Sequence, residues 1–278
     1  MFARNDVGVV PQLSRLFSSE IAIDFSLKKR TLVIVPARDS RFVRQKVTEL
    51  SQYGLDYIVI CGDYLEMPNV FFREARGKWD AINFSWGLID HSKEIIVFND
   101  VDTSIRGLNH ALQRLQHEEV SMVFGTETVT KGPQRSWFAL MNRLRSIIPV
   151  ASSGELMVIR KSALESVLPI PPCLAEDTYV LFKLLEKGKR IAFEPRCSCS
   201  TVRTVTHEEE AQYKRRTVLG IYQALTYSKP PPLVRFLYAL LPFISILLLV
   251  NGRDGFSWVK GIIHGFAAIL INDESSKW

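Results

Sequence analysis

The side chains able to do chemistry sit in a few short stretches. In "EIIVFNDVDTSI" (94–105), Asp100 and Asp102 stand one residue apart at the end of an apolar run. Two carboxylates that close repel each other, and each is costly to bury unpaired. They require something positive beside them: a divalent metal, a basic side chain or, failing both, water at a turn. A metal held there would act as a Lewis acid, bridging diphosphate oxygens and neutralising charge as a bond to them breaks. A second acidic pair, Glu176 and Asp177 in "AEDTYVLFKLLEKG", lies where a helix should begin. Acids there stabilise the helix dipole, whatever else they do. The adjacent Arg215 and Arg216 of "QYKRR" can grip a diphosphate by charge-assisted hydrogen bonds or rest on anionic headgroups.

These groups need a scaffold, and the hydrophobic pattern supplies one. "TLVIV" (31–35), "YIVIC" (57–61), "EIIVF" (94–98) and "VSMVFG" (120–125) are short, rich in β-branched residues, and read as strands. Between them "RFVRQKVTELSQYG" and "KWDAINFSWGLIDH" carry apolar residues at helical spacing. Such alternation predicts an α/β fold of right-handed βαβ units around a mostly parallel sheet. Ligands bind these sheets beyond the carboxyl ends of the strands, where Asp100 and Asp102 stand. A second block adds a helix in "RSWFALMNRLRSI" (135–147) and a strand "ELMVIR" (155–160). A helix follows from about Glu176 to Lys187, stopped at Gly188, then a strand in "RIAFEP" and a long helix in "HEEEAQYKRRTVLGIYQALTY".

Composition shifts after "KPPP" (229–232). The expected division is an N-terminal extension (1–30), an α/β domain (31–229) and a C-terminal hydrophobic helical hairpin (230–278). As a helix, "LVRFLYALLPFISILLLV" (233–250) would be about 27 Å long, close to the thickness of the hydrocarbon core. "NGRDG" makes a polar turn, and "FSWVKGIIHGFAAILI" (256–271) returns with Ser257, Lys260, Gly261, His264 and Ala268 on one face. A membrane hairpin or a pair of interfacial helices is expected; two core helices of a soluble domain are the alternative.

A chain of 278 residues with 47% hydrophobic content suits one large domain with an appendage. The net charge of +6 points to acidic partners such as phosphates or anionic lipid. The 4 cysteines are too few and too scattered for a disulfide framework, and Cys197-Ser198-Cys199 has no second pair to complete a tetrahedral metal site. The N-terminus shows no apolar stretch of a cleavable signal, so a cytoplasmic setting is expected.

The stretch "ARGKWDAINFSWGLIDHSKEIIVFNDVDTS" resembles the nucleotide-sugar-binding half of family-2 glycosyltransferases with the GT-A fold. There a Gly-Lys-x-x-Ala-Leu-Asn helix leads into a strand ending in Asp-x-Asp. Here Gly77, Lys78, Ala81, Ile82 and Asn83 precede Asp100 and Asp102. "VIVPARDS" is similar to that family's first strand and turn, "SSGELMVIRKSAL" to its acceptor-facing turn and strand, and "AEDTYVLFKLLEKGKRIAFEP" to the helix carrying the base. The resemblance spans roughly residues 31 to 225 and implies an inverting, nucleotide-sugar-dependent hexosyltransferase. Asp177 would be its general base, and Asp102 with Asp100 would hold Mg²⁺ or Mn²⁺. Pro36, Ala37, Asp39, Asp63, Lys78, Asp100, Arg215 and Arg216 would lie on the donor side, and Glu176, Gly154 and Gln212 on the acceptor side. The partners implied are a UDP- or GDP-sugar, a lipid-linked or glycan acceptor and the cytoplasmic face of a membrane, with no nucleic acid.

Some positions depart from the pattern. "QYKRR" is similar to the Gln-x-x-Arg-Trp motif of cellulose, chitin and hyaluronan synthases, but Arg216 replaces the tryptophan. That change and the single apolar hairpin favour one transfer over processive polymerisation. Ser40 stands where the family usually has Glu, and "ICGDYLE" lacks the usual paired acids, leaving Asp63 or Asp39 for the nucleobase. A nucleotidyltransferase would cradle its triphosphate in a glycine-rich loop after the first strand, and "PARDSR" has no glycine. A non-catalytic nucleotide-sugar-binding membrane protein would need no base.

Overall fold

The computed structural model describes residues 23–116, 119–130, 142–143, 145–147, 152–201 and 204–271. The helix expected at 135–147 lies mostly outside them, as do residues 1–22 of the N-terminal extension.

Strands β1 (Thr31–Ala37) and β4 (Ile95–Asn99) are buried along their whole length. A strand buried on both faces demands a helix layer on each side of its sheet. Leu32, Ile34, Ile96 and Phe98 enter one core, and Val33, Val35 and Val97 enter the other. The second core is closed by α1 (Phe25–Arg30), α2 (Val43–Tyr53) and α4 (Leu108–Leu115). The first is closed by α3 (Lys78–Trp86), α5 (Lys161–Glu165), α6 (Glu176–Glu186) and part of α7 (His207–Thr226).

The remaining strands are β2 (Asp56–Cys61), β3 (Val70–Phe72), β5 (Ser104–Arg106), β6 (Val120–Val129), β7 (Leu156–Arg160) and β8 (Arg190–Thr201). They form one 8-stranded sheet in the order β3-β2-β1-β4-β7-β6-β8-β5. β1 pairs in parallel with β2 and β4, β2 with β3, and β6 with β8. β7 runs antiparallel to both β4 and β6, and β5 antiparallel to β8. The sheet is therefore mixed, and the reversal at β7 matters for the site. Asn99 pairs with Leu156, so the turn entering β7 sits beside the turn leaving β4, and the Asp100 N–H donates to the Glu155 carbonyl at 3.3 Å.

β8 runs past its expected end at Pro195. Proline offers no N–H to a ladder, and the register slips there: Gly125 faces Glu194, but Thr126 faces Ser198. A Cβ on Gly125 would stand 2.5 Å from the Cys197 carbonyl, so the slip requires glycine.

The C-terminal hairpin comprises α8 (Pro232–Ile244), a 3₁₀ segment (Ser245–Asn251) and α9 (Gly252–Leu270). Its reversal falls at Gly252, whose φ of 61° is left-handed. α9 begins at that glycine, so most of the expected polar turn "NGRDG" is helical. Among the described residues, Pro232–Leu270 is long and apolar enough to cross a membrane. Yet α8 contributes Val234 and Tyr238 to the first core, and Ile262 of α9 packs with Val218 and Tyr222 of α7. Ser257, Gly261 and Ala268 are buried, but so are Trp258, Val259 and Ile262, which the helical spacing put on a different face. The buried side of α9 is wider than the pattern implied.

Candidate active site

Gly77, with φ at 134°, turns the chain sharply into α3 and makes Lys78 the first helical residue. The Lys78 ammonium then lies 2.6 Å from Asp100 Oδ1 and 3.0 Å from Glu176 Oε1, and donates to the Gly154 carbonyl at 2.7 Å. Four separate segments meet at this nitrogen. Asp177 joins them: Ser152 Oγ donates to its Oδ2 at 3.2 Å, and a Cβ on Gly154 would stand 3.1 Å from its Cγ. Bare backbone at Gly154 is what admits the Asp177 carboxyl. Beside it the buried Ser153 hydroxyl has no hydrogen-bond partner among the described residues, leaving a polar group for a ligand. The positive neighbour that Asp100 demanded is thus Lys78.

Burial would lower the Lys78 value, but Asp100, Glu176 and Asp177 outweigh it and hold the amine protonated well above its ordinary range. Burial pushes Glu176 and Asp177 up, against the pull of Lys78. A carboxylate so raised is a better proton acceptor than one in water. Desolvation in the turn, then the Asp100 charge, also raises Asp102, although part of that side chain reaches solvent. Glu155 is pushed up to about 8 by burial, with Asp100 adding to the effect. Its Oε2 accepts from Cys199 Sγ at 3.6 Å.

The back of the Asp100–Asp102 turn is held by residues that the sequence reading passed over. Lys46 of α2 is almost wholly buried, and its ammonium bonds Asn99 Oδ1 at 2.7 Å, Glu49 Oε2 at 2.7 Å, and the Thr103 carbonyl. Glu49 Oε1 accepts the Ile105 N–H at 2.6 Å, and Asn99 Nδ2 donates to Thr103 Oγ1 at 2.8 Å and to the Glu155 carbonyl at 2.6 Å. One ion pair on α2 therefore clamps both sides of the turn. Its only sequence signal was a lysine and a glutamate three apart on the helix, a spacing equally suited to solvent.

A cleft beside the cluster is lined by Pro36, Ala37, Ile60, Arg73, Glu74, Ala75, Gly77 and Ala81. Its rim is braced by Arg73, bound to Asp80 at 2.8 and 2.9 Å. Asp63 accepts from the Ser40 N–H and hydroxyl, both at 2.9 Å, and Asp39 pairs with Arg41 at 2.8 Å. Asn83 exchanges two 2.8 Å bonds with Ile170, which fixes the loop leading to α6. α7 steadies that loop from the other side: Gln223 Oε1 accepts the Leu174 N–H at 3.0 Å, and Gly220 lies against Ala175.

Gln212, Arg215 and Arg216 lie on α7. Gln212 donates to Glu208, and the Arg215 carbonyl faces Gly265 of α9. The four cysteines are free and buried, with Cys197 and Cys199 packed in the second core. Among the described residues no group of three or more His, Cys, Asp or Glu is placed to hold a metal. Asp100 and Asp102 nonetheless offer hard oxygen donors that suit Mg²⁺ or Mn²⁺, whose other positions are commonly filled by water and phosphate oxygens. Those two carboxylates are the residues that would hold such an ion, with Asp100 Oδ1 at present 2.6 Å from the Lys78 ammonium.

No protein-family model matches the chain, and no curated protein matches it. Among solved structures it is similar to M. tuberculosis glucosyl-3-phosphoglycerate synthase, at 16% identity over 74% of this chain and 84% of that one, with a TM-score of 0.49. S. aureus TarS is similar at 14% identity over 88% of this chain and 92% of that one, with a TM-score of 0.45. A Drosophila beta-1,4-galactosyltransferase 7 mutant, in complex with manganese, UDP-Gal and xylobiose, is similar at 12% identity over 59% of this chain and 64% of that one, with a TM-score of 0.39. An inositol-1-phosphate CTP transferase from T. maritima is also among the similar structures. Which chemistry this chain performs is decided by its own side chains.

Proposed function

We propose that the protein is an inverting glycosyltransferase that moves a sugar from a UDP- or GDP-sugar to a hydroxyl or phosphate oxygen of a membrane-associated, lipid-linked acceptor. The observation that carries this reading is the meeting of Lys78, Asp100, Glu176 and Asp177 at the carboxyl end of β4. Asp177 takes the proton of an acceptor hydroxyl as that oxygen attacks the anomeric carbon. The bond from that carbon to the diphosphate breaks in the same step, and its electron pair leaves on the nucleoside diphosphate. One displacement inverts the centre. The Lys78 ammonium stands ready for the negative charge, and Glu176 keeps it in place. Mg²⁺ or Mn²⁺ held by Asp102 and Asp100 would add charge neutralisation at the diphosphate. Pro36 and Ala37 lie on the nucleoside side, with Asp39 or Asp63 reading the base, and Arg215 and Arg216 are the further diphosphate contacts. Gly154, Ser153 and Gln212 belong to the acceptor side, and the apolar hairpin keeps the enzyme on the cytoplasmic face of a membrane.

The test is a panel of UDP- and GDP-sugars offered to the full chain with lipid extracts, with and without a chelator. Asp177→Asn keeps the shape and removes the proton acceptor. Donor affinity should change little, while transfer falls roughly 10²- to 10⁴-fold. Near-normal transfer by the folded variant, or a product that retains configuration, refutes the assignment. Pyrophosphate release from a nucleoside triphosphate would instead identify a nucleotidyltransferase.

A further inference from the structure

We infer that the C-terminal hairpin lies in the plane of an anionic membrane surface and does not cross the bilayer. The inference deepens the membrane part of the function proposed above and rests on it, but not on the identity of the reaction.

Neither helix is free to leave the domain. α8 and the 3₁₀ segment run on without a break and together reach about 34 Å, enough by length to cross the roughly 30 Å hydrocarbon core, so packing decides. One side of α8 is committed through Val234, Tyr238 and Pro242, all buried. α9 lies along α7 at backbone contact: a Cβ on Gly261 would stand 2.4 Å from the Ala211 carbonyl, and one on Gly265 2.7 Å from the Arg215 carbonyl. Polar bonds run along the same seam. Trp258 Nε1 donates to Glu210 Oε1 at 2.8 Å in a buried setting, His207 pairs with Asp254 at 2.8 Å, and Lys260 pairs with Glu208 at 2.7 Å. Spanning would strip these partners away in hydrocarbon, where an unpaired polar group is most costly.

The outward side of the hairpin is apolar and bordered by basic residues. Leu247 is 71% exposed, Val250 90% and Phe256 61%. Phe236, Phe243 and Ile263 are exposed as well. On α9, Phe256, Ile263 and Ala267 recur along one line of the helix, and each follows a basic residue by three positions: Arg253, Lys260 and His264. These bases flank the row of apolar side chains, Lys260 being shared with Glu208 and Arg253 exposed at the start of α9. Arg235 is exposed beside Phe236 on α8. An apolar stripe with a basic border complements an anionic bilayer surface, where apolar side chains enter the acyl boundary and cations stay among the headgroups.

The experiment uses the full chain with phosphatidylcholine vesicles, with or without phosphatidylglycerol. The four native cysteines are buried, so single introduced cysteines report alone. Flotation should show binding roughly tenfold or more tighter to the anionic vesicles. A fluorophore on Phe256→Cys should be quenched by lipid nitroxides near the headgroup more than by deep ones. Asn251→Cys, at the hairpin tip, should not react with an impermeant maleimide trapped inside the vesicles. Ile263→Asp should weaken flotation without lowering the melting temperature. Labelling of the tip from inside overturns the in-plane seat. Failure to float with either vesicle overturns the membrane partner itself, a second copy of the chain then being sought by sedimentation. Sugar-nucleotide turnover, measured on the same samples, reports on the proposed reaction separately.

Discussion

The arrangement of single side chains makes two expectations sharp. Lys46 serves the Asp100–Asp102 turn from behind, so Lys46→Met leaves Glu49, Asn99 and Thr103 oxygens without their donor. Breaking such a buried pair costs about 3–5 kcal/mol, which urea unfolding can read, and donor affinity should fall with it. A variant of unchanged stability would mean that the turn is held by other means. Glu155 gives a pH signature. Its folded value of about 8 exceeds the ordinary 4.5, so the folded protein retains a proton that the unfolded chain has released. The contribution of Glu155 to stability is therefore complete below pH 4.5 and is lost as pH rises toward 8. In metal-free protein, Glu155→Gln should flatten that decline and stabilise the alkaline form by on the order of a few kcal/mol. An identical pH profile in the variant would assign the decline to other groups.

Among elements, the contact that places the proposed base is that of α7 with the turn before α6. A Cβ on Gly220 would stand 2.7 Å from the Ala175 nitrogen, one residue before Glu176. Gly220→Ala must push α7 away or shift the start of α6. The expected cost is about 1–3 kcal/mol of stability, and transfer should fall more than donor affinity because Asp177 moves with that turn. Gly188→Ala is the matched control. Its φ of 66° makes the substitution strained, but nothing lies within 4 Å of the new Cβ. It should lower stability by about 1 kcal/mol and spare activity. Equal kinetic effects in both variants would show that Gly220 matters for stability alone.

For the whole molecule, the question is whether the hairpin is an appendage. Tyr238 packs on Phe182 at 5.5 Å, and the Tyr222 hydroxyl donates to the Tyr238 carbonyl at 2.7 Å. Cutting the chain at Lys229 would expose Phe182, Val218, Tyr222 and Ala224, with about 1.5–3 kcal/mol at stake for each large side chain. The shortened protein should bind a hydrophobic dye and lose its cooperative melting transition. A monomeric fragment with a sharp transition would show that the α/β core is complete without the hairpin.

The sequence by itself determined the elements whose pattern is local. Buried strands read as β-branched runs, α3 followed from a glycine and helical spacing, and the acid pairs stood at the ends where a sheet of this kind binds ligands. The resemblance to family-2 glycosyltransferases drew on those same stretches. Short elements were not legible: β3 and β5 have 3 residues each, too few for alternation to show. The antiparallel course of β7 was also hidden, because strand direction depends on which neighbours close the sheet. Only the tertiary structure decided that Lys78 answers Asp100, that Lys46 is buried behind the turn, and that Gly154 makes room for Asp177. Each of these pairs residues many positions apart, and a side chain's partner depends on where the chain returns. The hairpin shows the same division. Its apolar composition was plain in the sequence, but which face meets α7 and which stays exposed was settled by packing at Gly261 and Gly265.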